Sequence, residues 1–322
     1  AAFVAGFETE SRVGRLVAPE HYERGFHTTG TVGTFGAAAA CAFALGLDQS
    51  QWRQAMGIAG TQAAGLKSMF GTMSKPLHAG KAAVNGLSAA KLAGRGFTAN
   101  PAVLDVPQGF TSTHTTTANP GKALELSSEE FDIRDVLFKF HAACFLTHSS
   151  VEGLLRIRES ENIRPTEVLS VEILVPPGHL DVCNILEPTT PLEGKFSLRF
   201  TSALALARGD VSERAFTPAA LTDPDLVALR DRVVVVPEAG RSALSTVTVQ
   251  LASGKRVSTT ADVFHAVPED QLDREWQRLE TKFRGLVEPI LGERRAQHLV
   301  AIVAALPHLT SVRQLADAAA AA

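Results

Sequence analysis

Hydrophobic and polar positions divide the chain into three stretches with different periods. From residue 1 to about 127, apolar residues recur every three or four positions among many Ala and Gly, the period of an amphipathic helix. Helices are predicted over 2–15, 29–45, 50–64 and 79–93, with Gly46, Gly94 and Gly96 as stops and Ser50 as an N-cap. Small residues recur on their faces, so the helix axes can approach closely. From 128 to 267 the period changes to two. Val168 to Val175 alternates Leu, Val and Ile with Ser and Glu until Pro176-Pro177 stops it, as a half-buried strand does. Residues 232–236, 246–251 and 255–260 are further strand candidates, and Ser253-Gly254 joins the last two like a hairpin turn. Helical patterns over 145–158 and 198–208 lie among them, the second ended by Gly209. Residues 268–322 return to helix over 271–286, 292–306 and 311–322, with an Ala tail at 318–322 that is expected to fray. The prediction is a mostly α fold with an α+β insert.

Composition narrows the function classes. The 322 residues are 45% hydrophobic and 20% charged, which is globular composition. A net charge of −3 with no long basic run gives nucleic-acid binding little support. The longest apolar stretch, 37–47, is too short to span a bilayer, and the first residues lack the build of a signal peptide. Cys41, Cys144 and Cys183 are too few and too scattered for a disulfide framework, so a cytoplasmic setting is expected and no membrane partner. Residue 1 is Ala and the first methionine is Met56, which reads as a trimmed chain or as part of a longer one.

Four segments carry candidate chemistry. In Gly25-Phe26-His27-Thr28-Thr29-Gly30 a histidine and two hydroxyls stand where loop gives way to helix, a place suited to an anion. Taken alone, the segment reads more simply as Thr28 or Thr29 capping the helix. Gly30, Gly33 and Gly36 do not match a dinucleotide loop, and packing between helices is favoured for them. The stretch from Met73 to Lys81 gathers Lys75 and His78 at a helix start, a cationic pocket for carboxylates, with Pro76 biasing Lys75 to precede the helix. A solvated lysine beside a capping histidine is the plainer alternative. His141, Cys144 and His148 at i, i+3 and i+7 would share one helix face, which makes metal ligation conceivable, but no fourth ligand has matching spacing. A Cys144–His148 nucleophilic pair lacks an orienting third group. The acidic pairs Glu129-Glu130 and Glu269-Asp270 sit where helix starts attract acids anyway, and Trp52 and Trp276 read as core.

The runs GFHTTGTVGTFGAAAACAFALGL and MSKPLHAGKAAVNGLSAAKLAGRGFTANPAVLD, followed by LFKFHAACFLTHS, GKFSLRFTSALALARGD and FTPAALTDPDLVALRDRVVVV, resemble in order the MmgE/PrpD family. That family includes 2-methylcitrate dehydratases, cis-aconitate decarboxylases and iminodisuccinate epimerases. The resemblance implies a large helical domain built from both chain ends (1–127 and 268–322) and a smaller α+β lid domain (128–267). It also implies a homodimer, no metal and no organic cofactor, and an active site between helical domain and lid. Carried over by motif, His27, Lys75, His78 and Lys139 line a pocket for a small polycarboxylate and are the expected catalytic residues. Thr28, Thr29, His148 and Arg199 are the expected substrate-binding residues.

Three departures bear on activity. Phe200 stands where relatives place a tyrosine, so a proton-carrying hydroxyl is missing. Phe140-His141-Ala142 replaces the usual aromatic-Pro pair of the lid motif. Relatives also carry an earlier helical stretch with an Asp- and His-bearing segment, so the chain is expected to be truncated or its site incomplete. The expected reaction is dehydration of a substrate such as 2-methylcitrate, begun by removing a proton α to a carboxylate. The alternatives are decarboxylation or epimerisation of a related acid, and a non-catalytic scaffold.

Overall fold

The computed structural model describes residues 1–125, 131–240 and 244–320. The Glu129-Glu130 pair, the predicted boundary at 127/128 and the last two alanines of the tail lie outside the described residues. Helices of seven or more residues are numbered below. The chain is mostly helical with one four-stranded mixed sheet, and its contacts divide it into residues 1–136 and 137–322. No described helix is long and apolar enough to cross a membrane.

The first unit is helical: α1 (Ala2–Val17), α2 (Thr28–Ala44), α3 (Gln49–Gly60) and α4 (Ser74–Gly94). Helix α2 packs against the other three, and its mean composition of Ala, Gly and Thr is what allows contact on so many sides. A Cβ at Gly36 would lie 2.8 Å from Glu10 Cβ on α1, and one at Gly86 on α4 would lie 2.5 Å from Ala37 Cβ. Neither leaves room for a methyl group, so close packing is what these glycines supply. Val13, Val17, Val32, Phe35, Ile58 and Phe110 fill the core between the helices.

Two helix starts differ from the sequence expectation. Helix α3 is capped by Asp48, not Ser50: its carboxylate accepts from Gln51 N–H at 2.8 Å, and Gln51 Oε1 accepts from Asp48 N–H at 3.1 Å. This reciprocal pair satisfies two amides at once, which a Ser at 50 could not do. Helix α4 begins at Ser74, so Lys75 lies within its first turn, not before it. Pro76 is the third helical residue, where no intrahelical partner awaits an N–H, so the ring costs no bond and the bias on Lys75 is overridden.

The second unit contains α5 (His148–Glu161), β1 (Val168–Val175), α6 (Leu198–Arg208), α7 (Pro224–Arg230), β2 (Val233–Pro237), β3 (Ser245–Leu251), β4 (Arg256–Ala261), α8 (Leu272–Leu291), α9 (Glu293–Ala304) and α10 (Arg313–Ala319). The sheet order is β2-β1-β3-β4, with β1 parallel to β2 and the other pairs antiparallel. Val171, Ile173 and Val175 alternate into the core, and a register shift between Val168 and Ser170 lets Val168 be buried as well. Gly254, at φ +85°, makes the β3–β4 turn as expected. Helix α5 lies on β3 and β4, close enough that a Cβ at Gly153 would meet Val247 Cγ2 at 2.7 Å. Residues 268–322, grouped by sequence with the N-terminal helices, make contacts inside this unit through α8. Helix α8 continues past its predicted end at 286, through Pro289, to Leu291. Trp276 is not core: it is 41% exposed and lines an apolar groove with Leu279, Phe283, Leu299 and Val303.

Candidate active site

In the first unit a short antiparallel bridge builds the site. Phe26 pairs with Leu66, His27 N–H donates to Gly65 O at 3.0 Å, and Lys67 N–H donates to Gly25 O at 2.8 Å. Gly25 has φ +99°, a conformation that side chains resist, and it turns the chain into the bridge. Lys67 fixes the turn from the other side, with Nζ donating to Tyr22 O at 3.2 Å and lying 3.8 Å from the Tyr22 ring centre. His27 then takes the N-cap position of α2 with φ −92° and ψ 102°. Its side chain does not cap the helix, and Thr28 and Thr29 fall inside the first turn, so neither threonine is the cap the sequence suggested. Helix geometry leaves their two amides without intrahelical acceptors. Thr28 is half-buried and Thr29 exposed.

The buried His27 ring meets α4. Its Nδ1 lies 2.8 Å from Nδ1 of His78, and its face receives the edge of Phe70 at 4.9 Å. Lys75 Nζ sits 5.5 Å from the Phe70 ring centre. Burial first, then the charge of Lys75 and the neighbouring His78, push the His27 pKa down to about 4, so His27 is neutral near pH 7. Between two Nδ1 atoms only one hydrogen fits, so one imidazole donates and the other accepts. The pair can therefore hold one extra proton on its outer nitrogens without losing its hydrogen bond, but not two. Gly65 makes the approach possible: a Cβ there would stand 3.4 Å from His78 Nδ1 and 3.3 Å from His27 O.

A fully buried residue supports His27 from behind. His21 stacks on Phe26 at 4.7 Å with its ring nearly parallel, and its Nε2 is 2.8 Å from Thr31 Oγ1 on α2. Burial, followed by the charge of His114, lowers the His21 pKa to about 4. Its partners lie on three separate segments, and nothing in its local spacing announced this role.

In the second unit Lys139 lies exposed on an irregular segment ahead of α5. Lys282 Nζ donates to Lys139 O at 2.6 Å, and the Arg278 guanidinium lies 3.8 Å above the Phe140 ring. His141 Nε2 bonds Glu152 Oε1 at 2.8 Å, and Arg278 reaches the same oxygen. Burial would raise the Glu152 pKa, but the bond to His141 and the charge of Arg278 outweigh it and hold it near 2. His148 is 1% exposed. Burial, then the charges of His141 and Lys139, lower its pKa to about 3, and its Nε2 has no hydrogen-bond partner. The metal geometry imagined for His141, Cys144 and His148 requires a helix through all three. The α-helix starts only at His148, and the described residues hold no cluster of three or more His, Cys, Asp or Glu fit for a metal.

Arg199, on α6, donates to Asn184 Oδ1 at 3.0 Å. Phe200 beside it is 1% exposed and packs near Phe216 and Gly194, a core position and not a cavity wall. The structure thus brings His27, Lys75 and His78 together beside Thr28 in one unit. In the second unit Lys139 stands in a cluster with His141, Glu152 and Arg278, and the meeting of Arg278 with Glu152 across 126 positions is one that sequence spacing could not reveal.

The profile of the MmgE/PrpD N-terminal domain matches residues 1–122, and that of the MmgE/PrpD C-terminal domain matches residues 141–308. The human protein named cis-aconitate decarboxylase is 27% identical over 320 residues, covering 96% of this chain and 66% of its own length. The mouse protein of the same name is 25% identical over 321 residues, covering 96% and 65%. A cis-aconitate decarboxylase-like protein of Aspergillus oryzae is 26% identical over 338 residues, covering 98% and 69%. The chain thus spans about two thirds of the length of these relatives. With both of its domain profiles matched in order, the chain belongs to the MmgE/PrpD family.

Proposed function

We propose that the chain carries the carboxylate-binding and proton-transfer groups of a lyase that removes CO₂ from a small tricarboxylate of the cis-aconitate type. The observation that carries this reading is the 2.8 Å bond between His27 and His78 beside the ammonium of Lys75. Cis-aconitate holds a CH₂–carboxylate next to a C=C bond. When the C–C bond to that carboxylate breaks, its electron pair forms a new C=C, and the old π pair moves to the carbon beside another carboxylate. That carbon takes up one proton, so one CO₂ leaves and one proton is consumed. Negative charge grows next to the retained carboxylate, where a fixed cation such as Lys75 lowers the barrier. The histidine pair is uncharged at rest; once the tricarboxylate, whose negative charge favours a cation beside it, is bound, the pair takes one proton from solvent, hands it to the carbon and returns to neutral.

In this reading the amides of Thr28 and Thr29 bind a carboxylate, and Lys139 is proposed, on its motif position, as a carboxylate-binding group of the second unit. Buried His148 and Asn184-bound Arg199 have no assigned part. The names of the human and mouse relatives favour decarboxylation over the 2-methylcitrate dehydration expected from sequence. The test offers the chain cis-aconitate and 2-methylcitrate separately, following CO₂ release and product NMR spectra. Release of CO₂ from cis-aconitate, reduced about a hundredfold or more in His27→Gln, supports the reading. Water loss from 2-methylcitrate with no CO₂ from cis-aconitate overturns it.

A further inference from the structure

Lys139 sits on a segment without helix or strand, yet four neighbours hold that segment. Arg278 and Lys282 are spaced i, i+4 on α8, so both project from one helix face. Lys282 takes the carbonyl of Lys139 itself, at 2.6 Å. Arg278 covers the ring of Phe140, the next residue, at 3.8 Å. It also reaches Glu152 Oε1, the atom that holds His141 at 2.8 Å. Three consecutive residues are thereby tied to α8 and α5, with the amide of Ala142 fixed next by Val211 O at 2.9 Å.

From this geometry we infer that Arg278 and Lys282 are positioning residues, which preset the backbone of Lys139 so that its ammonium meets a substrate carboxylate without first paying the entropy of ordering a loop. The inference rests on the proposed role of Lys139 as a carboxylate-binding group. It adds that helix α8 sets substrate affinity without touching substrate. The depressed pKa of Glu152 keeps this carboxylate charged throughout the range in which the enzyme would work, so the tie is permanent and not pH-switched. A preset backbone acts on ground state and transition state alike, so its loss is read in KM and not in kcat.

The experiment is a double-mutant cycle on the full chain with cis-aconitate. Lys139→Ala is expected to raise KM about tenfold, as loss of one charged hydrogen bond does. Arg278→Ala and, separately, Lys282→Met are expected to raise KM by a few-fold with kcat nearly unchanged, and Arg278→Lys to restore little, because an ammonium cannot both cover the ring and reach Glu152. In the Lys139→Ala background the Arg278 and Lys282 changes should have no further effect. Should Arg278→Ala lower the melting temperature so far that kinetics fail, Lys282→Met, which keeps the apolar stem, carries the test. Effects that add to that of Lys139→Ala, or that fall on kcat, overturn the positioning role. An unchanged KM in Lys139→Ala overturns the role of Lys139 itself, a result distinct from the first.

Discussion

Ala64 O lies over Gly30 so closely that a Cβ there would stand 2.4 Å from it. The obstacle is backbone and belongs to the strand of chain that bonds His27 through Gly65, so it cannot turn aside as a side chain would. Gly30→Ala should destabilise the protein by about 1–3 kcal/mol, the usual cost of forcing a methyl group into a filled space. Urea unfolding measures this. Because the push is transmitted to Gly65, the same variant should also lose the His27–His78 bond, visible as a changed Nδ1 chemical shift of the His27 ring by NMR.

Lys75 acts on His27 through space. Its charge is the second cause, after burial, of the low His27 pKa. In Lys75→Met that pKa should rise from about 4 toward its ordinary value while staying below it, since burial persists. An NMR titration of the His27 ring reads this directly. The same change should raise KM for a tricarboxylate about tenfold or more, the loss expected for one charge-assisted contact.

Acid should weaken the fold through its buried histidines. His21 and His27 have folded pKa values of about 4 and His148 of about 3, against an ordinary 6.5. Between pH 6.5 and 4 the unfolded chain binds more protons than the folded one, so stability falls as pH is lowered. The contribution is fully present above pH 6.5 and lost progressively below it as each folded pKa is approached. Urea midpoints taken from pH 7 to pH 4 should therefore decline, and His27→Gln should show a shallower decline than the parent protein.

The carboxylate of Glu20 gathers the loop 115–117. It accepts from Thr115 Oγ1 and Thr116 N–H at 2.7 Å and from Thr117 N–H at 3.0 Å. The Thr115 hydroxyl, followed by the Thr116 amide, holds the Glu20 pKa near 2. Glu20→Ala should leave those amides unpaired, and hydrogen exchange at Thr116 and Thr117 should accelerate while amides in α2 keep their protection. Unchanged exchange at both would show that water replaces the carboxylate without loss.

Much of the architecture was legible in local pattern. Strand Val168–Val175 and helix Leu198–Arg208 were read to the residue, because alternation, the double proline and Gly209 each act over a few positions. The packing role of Gly36 also followed from the three-residue spacing of Gly30, Gly33 and Gly36. Helix starts were less legible where two local rules compete, as the capping box of Asp48 did with Ser50 and first-turn tolerance did with the Pro76 bias. His27, Lys75 and His78 stand out by residue type and motif as candidates, but the direct contact of the two rings depends on the Phe26–Leu66 bridge, which no periodicity announces. Glu152 and Arg278 carry no such signal, since each is one charge among several in a helical stretch. Only the fold sets them against one another across 126 residues of chain.

The parallel pairing of β1 with β2 orders events during assembly. Strands β3 and β4 are joined by a tight turn and can zip together by themselves, whereas β2 reaches its edge of the sheet only after the whole crossover of 176–232, including α6 and α7, has been laid down. Closing so long a loop is slow. Until it closes, Val171 and Ile173 present an open edge to other chains, so the interval between emergence of β1 and arrival of β2 is when this protein is most exposed to aggregation through its sheet.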